Sequence, residues 1–304
     1  MKIKTLDQIM LEALEFFSIT KIKKLNTKSF KFPIVVGSGN AYHTGRIMFS
    51  REAAIFANET NLEEILLRYK ETIKKMKSEA VVISASGGKD SVWEIKALQN
   101  KKVKTSLITC NQDSAAAQVA GKVYGYRKIT EPYTYNSSTY LGMILSTTKE
   151  NPKDILKTIK KIKLPKNFNK YESYSFIIKD ELSKICPMII IKRDELFGYH
   201  LNIRAFSFGQ ARHAKFLNPS DKELLISIGE TNKVFGKDKH RWNINLGKKD
   251  NYATLMALTY YIIGKIQQAK PSYFKNNIEN YCQDYGPKAY GKNHKPFEII
   301  VPGN

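Results

Sequence analysis

A chain of 304 residues with 42% hydrophobic and 11% aromatic residues has enough apolar side chains for packed cores, which excludes general disorder. The net charge of +22 favours anionic partners, but only eight of the 50 basic residues are Arg, which nucleic-acid readers use for bidentate contacts. We therefore attribute the dispersed lysine excess to composition and do not expect a nucleic-acid partner. The three Cys residues form no CxxC pair, which argues against a disulfide framework or a zinc ribbon and suits a reducing cytoplasm.

The N-terminal segment carries Asp7, Glu12 and Glu15 within an apolar pattern. This pattern predicts an amphipathic helix and not a signal peptide. The longest charge-free apolar stretch, residues 251–264, is shorter than the roughly 20 residues that span a bilayer. Both features favour a soluble cytoplasmic protein without a membrane partner.

In the first half, apolar and β-branched runs alternate with helical periodicity. Strands are predicted at 32–36, 80–84 and 103–109. Helices are predicted at 44–58, 62–77, 91–99 and 114–124. Strands separated by helices of this length indicate βαβ units and a parallel sheet covered on both faces.

A lysine-dense stretch, residues 147–170, divides this half from the next, with a connecting helix and then a linker near 165–170. We therefore predict two lobes, residues 1–165 and 166–304. In the second half, strands are predicted at 187–191, 223–228 and 242–246. Helices are predicted there at 201–214 and 252–267.

Two Gly/Ser-rich turns of the first half follow predicted strands and open helices. In a parallel α/β sheet such turns lie at the carboxyl ends of the strands, where ligands bind. Glycines let the backbone approach a ligand, and free N–H groups at a helix start attract an anion. The candidate phosphate-binding residues are Gly37, Ser38, Gly39, Asn40, Ser84, Ser86, Gly87, Lys89 and Ser91.

These turns lie in a series of segments that resembles the SIS domain (sugar isomerase, phosphosugar-binding) over about residues 30 to 145. The matching segments are IVVGSGN at 34–40, VVISASG at 81–87, LITCNQDS at 107–114 and AQVA at 117–120. The second half is similar in layout to the second, more divergent lobe of tandem SIS proteins. The resemblance implies two flavodoxin-like three-layer (αβα) lobes with parallel sheets, a sugar phosphate as ligand and frequent homodimerisation, and it implies no metal or organic cofactor.

The chain departs from the SIS pattern in ways that bear on its activity. Lys89 stands where the phosphate loop usually has Thr, and the neighbouring Asp90 would oppose an anion unless it turns away or pairs with Lys89. In tandem SIS isomerases a Glu on the helix after the first strand of the second lobe moves a proton between C1 and C2, and Gln210 stands near its expected position. Glu230 and His213 are the substitute acid and base, and His43 is a further residue that could face a ligand.

Three functions follow from these residues. The first is a sugar-phosphate aldose–ketose isomerase acting through an enediol, and the second is a phosphosugar-binding module without catalysis. The third comes from the segment SGGKDS at 86–91, which is similar to the phosphate loop of the PP-loop ATP pyrophosphatases. A complete strand–turn–helix unit precedes this segment, whereas the PP-loop normally follows the first strand of its domain.

Overall fold

The computed structural model describes residues 3–88, 90–291 and 294–304. Contacts between Cα atoms divide the chain into two compact units. The first unit consists of Ile19–Glu131, Ser138–Lys149 and Val301–Asn304. The second consists of Met1–Ser18, Pro132–Ser137 and Glu150–Ile300. The units interleave along the chain, whereas the sequence predicts a single boundary after residue 165.

The helices and strands alternate through most of the chain. The strands are β1 Ile34–Gly37, β2 Ile55–Ala57, β3 Glu79–Ile83, β4 Lys104–Thr109, β5 Lys122–Gly125, β6 Glu131–Pro132, β7 Ser173–Ile178, β8 Asn202–Ser207, β9 Glu223–Ile228, β10 Arg241–Ile244 and β11 Ile300–Val301. The helices are α1 Leu6–Ile19, α2 Asn40–Met48, α3 Leu62–Arg68, α4 Lys70–Met76, α5 Ser91–Asn100, α6 Ala115–Val119, α7 Ser137–Thr147, α8 Pro152–Lys160, α9 Cys186–Leu196, α10 Phe208–Ala214, α11 Tyr252–Ala269, α12 Tyr273–Asn280 and α13 Gly286–Lys288. Among the described residues, no helix is long and apolar enough to cross a membrane.

The first unit contains a five-stranded parallel sheet in the order β2-β1-β3-β4-β5. Its strands form near-continuous apolar runs because both faces are covered. Ile34, Val36 and Val82 are fully buried in one core cluster with Leu107. The order is that of doubly wound flavodoxin-like sheets, whose direction reverses between β1 and β3. This switch point is the crevice in which the fold class binds ligands.

The second unit contains a four-stranded parallel sheet in the order β10-β9-β7-β8. Counted from β7 as its first strand, the order repeats that of the first sheet, and its switch point lies between β7 and β9. Ile177 and Leu225 are buried in one cluster with Ala211 of α10. The predicted α/β class with two flavodoxin-like, parallel-sheet lobes is therefore confirmed.

Several elements of the second unit differ from the sequence prediction. Strand β7, an interior strand of the second sheet, lies in a stretch where no strand was predicted. The run at 187–191, predicted to be a strand, belongs to helix α9, which has Pro187 in its first turn. The segment 201–214, predicted to be one helix, is strand β8 followed by helix α10, because Ser207 caps a new helix start. Periodicity alone does not separate a short apolar strand from a buried helix. Strands β2 and β5 of the first unit were not predicted, because β2 lies within the helix predicted at 44–58 and β5 overlaps the end of the helix predicted at 114–124.

Candidate functional site

The two Gly/Ser-rich turns meet at the switch point of the first sheet. Strands β1 and β3 are direct neighbours, and Gly37, the last residue of β1, pairs with Ile83, the last residue of β3. The chain leaves both strands at the same edge of the sheet. The fold therefore brings together the two segments that the sequence predicts to bind phosphate.

Glycine is required in the first turn for steric reasons. A Cβ on Gly37 would lie 3.0 Å from the backbone carbon of Ala41 and 3.0 Å from the backbone nitrogen of Tyr42. Gly39 has φ +53°, a left-handed conformation that favours glycine. Helix α2 follows at once, and no side chain caps its N-terminus. The Ala41 N–H donates to the Ser38 carbonyl at 3.0 Å, so the first-turn N–H groups that remain for an anion are those of Asn40 and Tyr42.

The serines of the second turn have different roles. Ser84 Oγ accepts a hydrogen bond from the Gly87 N–H (3.2 Å), and Ser91 Oγ donates to the Gly88 carbonyl (2.7 Å), so both shape the loop. Ser86 is exposed and accepts a long hydrogen bond of 3.4 Å from Gly88 N–H. Ser86 is therefore the hydroxyl of this turn that is most accessible to a ligand. Lys89 lies outside the described residues.

Asp90 turns toward its own helix. Its Oδ1 atom accepts a hydrogen bond of 3.2 Å from the Trp93 ring N–H, three residues further along the chain. The indole donor partly satisfies the carboxylate. The Asp90 carboxylate thus turns away from the loop, as an anion site beside it requires.

The turn between β4 and α6, the third turn of this site, packs against the second turn. Thr109 Oγ1, at the end of β4, donates to the Ala85 carbonyl at 3.2 Å. Ser114 caps helix α6, and the Gly87 carbonyl accepts from the Ala116 N–H at 3.0 Å. Gly87 has φ +63°, and a Cβ on it would lie 1.9 Å from Ser114 Oγ. The second turn is therefore held in one shape by its neighbour.

Glu94, in helix α5, was missed by sequence reasoning. Its side chain is 1% exposed, and its Oε1 atom lies 3.5 Å from Ser38 Oγ in the first turn. Burial, reinforced by the carboxyls of Asp90 and Glu59, raises the pKa of Glu94 from its ordinary value of 4.5 to about 7, and the Ser38 hydrogen bond opposes this shift. The only sequence signal was an acidic residue one turn into the helix that follows the glycine turn.

Helix α2 places three buried polar atoms beside the first turn. Asn40 Oδ1, His43 Nδ1 and Thr44 Oγ1 have no hydrogen-bond partner within the described part of the chain. Burial, and secondarily the charge of Arg46, lowers the pKa of His43 to about 4, so its ring is neutral at pH 7. Asn40 and His43 were predicted to be near a ligand, and Thr44 was not. Buried polar atoms without partners cost free energy unless a ligand or water satisfies them.

The second unit has a similar helix start at β8, but its own side chains fill it. Ser207 Oγ accepts from the Gln210 N–H (3.1 Å), and Gln210 Oε1 accepts from the Ser207 N–H (3.0 Å), which forms a capping box. Asp180 Oδ1 accepts from the Gly209 N–H at 2.8 Å, and this bond is the main cause of a lowered Asp180 pKa.

Gln210 is therefore a capping residue of helix α10. It lies in the helix after β8, whereas the first strand of this sheet is β7, which leads to Asp180 and then to helix α9. The comparison with a missing Glu depended on the wrong strand assignment at 187–191.

The predicted acid and base occupy different parts of the second unit. Glu230 follows β9 directly, at the carboxyl edge beside β7, and its side chain is exposed. Gly229 before it has φ +84°, and a Cβ there would lie 3.2 Å from Lys179 Cβ. His213 is exposed in the last turn of α10, which starts at this edge and runs away from it. The described contacts do not join the two residues.

An ion pair in α9 between the buried Lys192 and the half-buried Glu195 was also missed. Lys192 is completely buried, donates to the Thr134 carbonyl at 2.6 Å and forms an ion pair with Glu195. Burial raises the pKa of Glu195, and the Lys192 charge opposes the shift. In a helix, residues 192 and 195 share a face. The strand predicted at 187–191 ends before residue 192, so the sequence reading gave residues 192 and 195 no shared helix face.

Solved structures with a similar architecture are known. No protein-family profile and no curated protein matches the chain. Among solved structures, the chain is similar to the C-terminal domain of glucosamine-fructose-6-phosphate aminotransferase from Francisella tularensis, with 13% identity and a TM-score of 0.57, covering 87% of this chain and 93% of the other. Glucosamine-6-phosphate deaminase from Thermotoga maritima matches with 14% identity and a TM-score of 0.57, covering 87% and 92%.

Tagatose-6-phosphate ketose/aldose isomerase from Escherichia coli matches with 13% identity and a TM-score of 0.53, covering 87% of each chain. The alignments cover 87% of this chain and 87–93% of each solved structure. The identities are low, so the comparisons bear on the fold. The segments that resemble SIS domains in the sequence and the two sheets of the structure agree: the chain has the tandem-lobed fold of the SIS-domain phosphosugar isomerase proteins.

Proposed function

We propose that this protein binds a sugar phosphate at the switch point of the first sheet. The observation that carries the proposal is the meeting of the turns after β1 and β3 at one edge, with an uncapped helix start and an accessible Ser86 hydroxyl. Backbone N–H groups of α2, with Ser38 and Ser86, would hold the phosphate. Ser84, Gly87 and Ser91 would keep the second turn in shape.

The sugar would occupy the space beside helix α2. Asn40 and Thr44 offer buried atoms that lack partners, and sugar hydroxyl groups both donate and accept hydrogen bonds. Lys89 remains part of the proposal as a point charge for the phosphate. The similar structures support this ligand class, because two of them are named for enzymes that act on hexose 6-phosphates.

A ligand screen tests the proposal. Thermal shifts would be measured with the 6-phosphates of glucose, fructose, glucosamine and tagatose, with ribose 5-phosphate and with ATP–Mg²⁺. We expect a rise in melting temperature with at least one hexose phosphate. Ser86→Ala should weaken that shift, and Ser29→Ala, an exposed serine before β1, should not. A shift with ATP alone would replace this proposal with the ATP pyrophosphatase.

A second candidate is catalysis of aldose–ketose isomerisation. The observation that favours it is Glu195, whose pKa is raised by burial, the direction that strengthens a carboxylate as a base for proton transfer between C1 and C2. Glu230 and His213 remain proposed as the alternative base and acid. Deuterium incorporation at C2 from heavy water would detect turnover.

The base is identified by comparing two amide variants. If Glu195 is the base, Glu195→Gln should abolish deuterium exchange at C2 with little change in affinity for the sugar phosphate. If Glu230 is the base, Glu230→Gln should have this effect instead. A wild-type protein that binds a hexose phosphate without exchange would be a binding module.

We also infer that the chain forms a homodimer in the cytoplasm. The inference is supported by the frequent dimerisation of the SIS proteins that the sequence resembles and by three free, buried cysteines, which suit a reducing compartment. Light scattering that gives the mass of a single 34.8 kDa chain at micromolar concentration would contradict the dimer.

A further inference from the structure

Glu94 is a buried carboxyl in contact with the proposed phosphate site. Its Oε1 atom lies 3.5 Å from Ser38 Oγ, and Ser38 belongs to the turn that would hold the phosphate. An ionised carboxylate here would repel a bound phosphate across a short distance and in a poorly solvated position. Phosphate binding therefore requires Glu94 to be in its neutral, protonated form.

Of the three groups that face Glu94, two favour its neutral form, and the Ser38 hydroxyl, as a hydrogen-bond donor, favours its ionised form. They are the Ser38 hydroxyl from the turn after β1, the Asp90 carboxyl from the start of α5 and the Glu59 carboxyl from the turn before α3. Two of these three are acidic. Together with the burial of the side chain, they make ionisation of Glu94 costly.

The count of protons decides what each form of Glu94 can do. A serine hydroxyl has one proton to donate and can accept hydrogen bonds as well. An ionised Glu94 takes the Ser38 proton and leaves none for a ligand. A neutral Glu94 can instead donate to Ser38 Oγ, and the Ser38 proton is then free.

We propose that Glu94 is a positioning residue that acts in its neutral form, donating to Ser38 Oγ so that Ser38 donates its own proton to the bound phosphate. The proposal rests on the function proposed above and adds a regulation of the same site, since anion affinity then depends on the protonation of Glu94. The bound phosphate, in turn, stabilises the protonated carboxyl.

The direction and size of the pH effect follow from the raised pKa of Glu94, about 7. The neutral form predominates below pH 7, so affinity is high there and falls as the pH rises above 7. If only the neutral form binds, affinity decreases about tenfold between pH 6 and pH 8 by mass action.

Calorimetric titration of the full chain with the 6-phosphates of glucose, fructose and glucosamine at pH 6, 7 and 8 tests the proposal. Glu94→Gln should keep the low-pH affinity of the wild type throughout, because its amide N–H donates to Ser38 and does not titrate. Glu94→Ala leaves the Ser38 proton free but unpositioned, so it should bind more weakly than Glu94→Gln and show no pH step. Wild type and variant are titrated with the same ligand at each pH. The ionisation of the phosphate therefore cancels in the ratio of their affinities.

Two controls separate this role from a structural one. Glu63→Gln removes an exposed carboxyl from α3 and should reproduce the wild-type profile. Ser38→Ala should bind more weakly and lose the pH step, which tests the proposal even if the Glu94 variants fold poorly.

If the affinities of wild type and Glu94→Gln change with pH in parallel, the proposal for Glu94 is overturned, and the proposed phosphate-binding function still stands. A wild-type affinity for glucosamine 6-phosphate that rises with pH would also overturn it, because the ionised carboxylate would then be pairing with the ligand's amine. A wild-type protein that binds none of the three phosphates at any pH would reject the proposed function itself.

Discussion

Gly87 shows how one residue fixes the shape of the proposed phosphate loop. Its φ of +63° suits glycine, and the space where a Cβ would lie is occupied by Ser114, the cap of helix α6. The loop and the helix cap are thus packed against each other without room for a methyl group. A larger side chain must displace one of them.

Gly87→Ala is expected to destabilise the protein by about 2–4 kcal/mol, from left-handed strain and overpacking, and to abolish phosphate binding. The matched control is Gly88→Ala, where the nearest atom to a new Cβ is Ser86 Oγ at 3.7 Å, an ordinary contact. Urea denaturation measures both. Equal losses in the two variants would contradict the steric argument.

Glu94 should also make stability depend on pH. Its pKa is raised from 4.5 to about 7 in the folded chain, so ionisation favours the unfolded state increasingly from pH 4.5 to 7. Above pH 7 the cost reaches about 3 kcal/mol. Relative to wild type, Glu94→Gln should gain this amount on going from pH 4.5 to 8, measured by urea denaturation. A constant difference across this range would show that Glu94 titrates normally.

At the scale of elements, the glycine turns, β1, β3 and β4 could be predicted because buried parallel strands leave apolar β-branched runs in the sequence. Glu94 and the Lys192–Glu195 pair could not, since each depends on a neighbour distant in sequence or on a correctly assigned helix. Helix α9 was mistaken for a strand because Met188 and the isoleucines after it are buried or half-buried, which removes amphipathic periodicity.

The helix start at Ser207 provides a contrast with the turns of the first unit. Ser207→Ala removes one half of the capping box and should cost about 1 kcal/mol of stability. Its hexose phosphate affinity should stay within twofold of wild type, whereas Ser86→Ala should lose affinity at nearly unchanged stability. Paired denaturation and calorimetry measure these values. Loss of binding in Ser207→Ala would place the site in the second unit.

At the scale of the whole molecule, each unit is assembled from three separate stretches of chain. The last residues complete the first unit: Asn304 Oδ1 accepts from the Lys128 N–H at 2.7 Å, and the Gly303 N–H donates to Thr130 Oγ1 at 2.9 Å. A sequence boundary after residue 165 separates these partners. Linear sequence patterns do not reveal such long-range completion.

Deleting Val301–Asn304 should therefore lower the stability of the first unit by about 2 kcal/mol or more, because several hydrogen bonds are lost at once. Differential scanning calorimetry measures the effect. Asn304→Asp, which keeps the acceptor oxygen for Lys128, should lose less. A deletion variant that melts like wild type would show that the tail contributes nothing to the first unit.

The filled helix start of the second unit has a consequence for stoichiometry. The two sheets repeat one strand order, so a duplicated architecture by itself would suggest two equivalent ligands per chain. Ser207, Gln210 and Asp180 already occupy N–H groups at the start of α10. The edge that matches the site of the first sheet, after β7 and β9, carries the carboxyls of Asp180 and Glu230, which oppose a second anion. Saturation should therefore occur at one hexose phosphate per chain, with a single class of sites and no cooperativity within the chain.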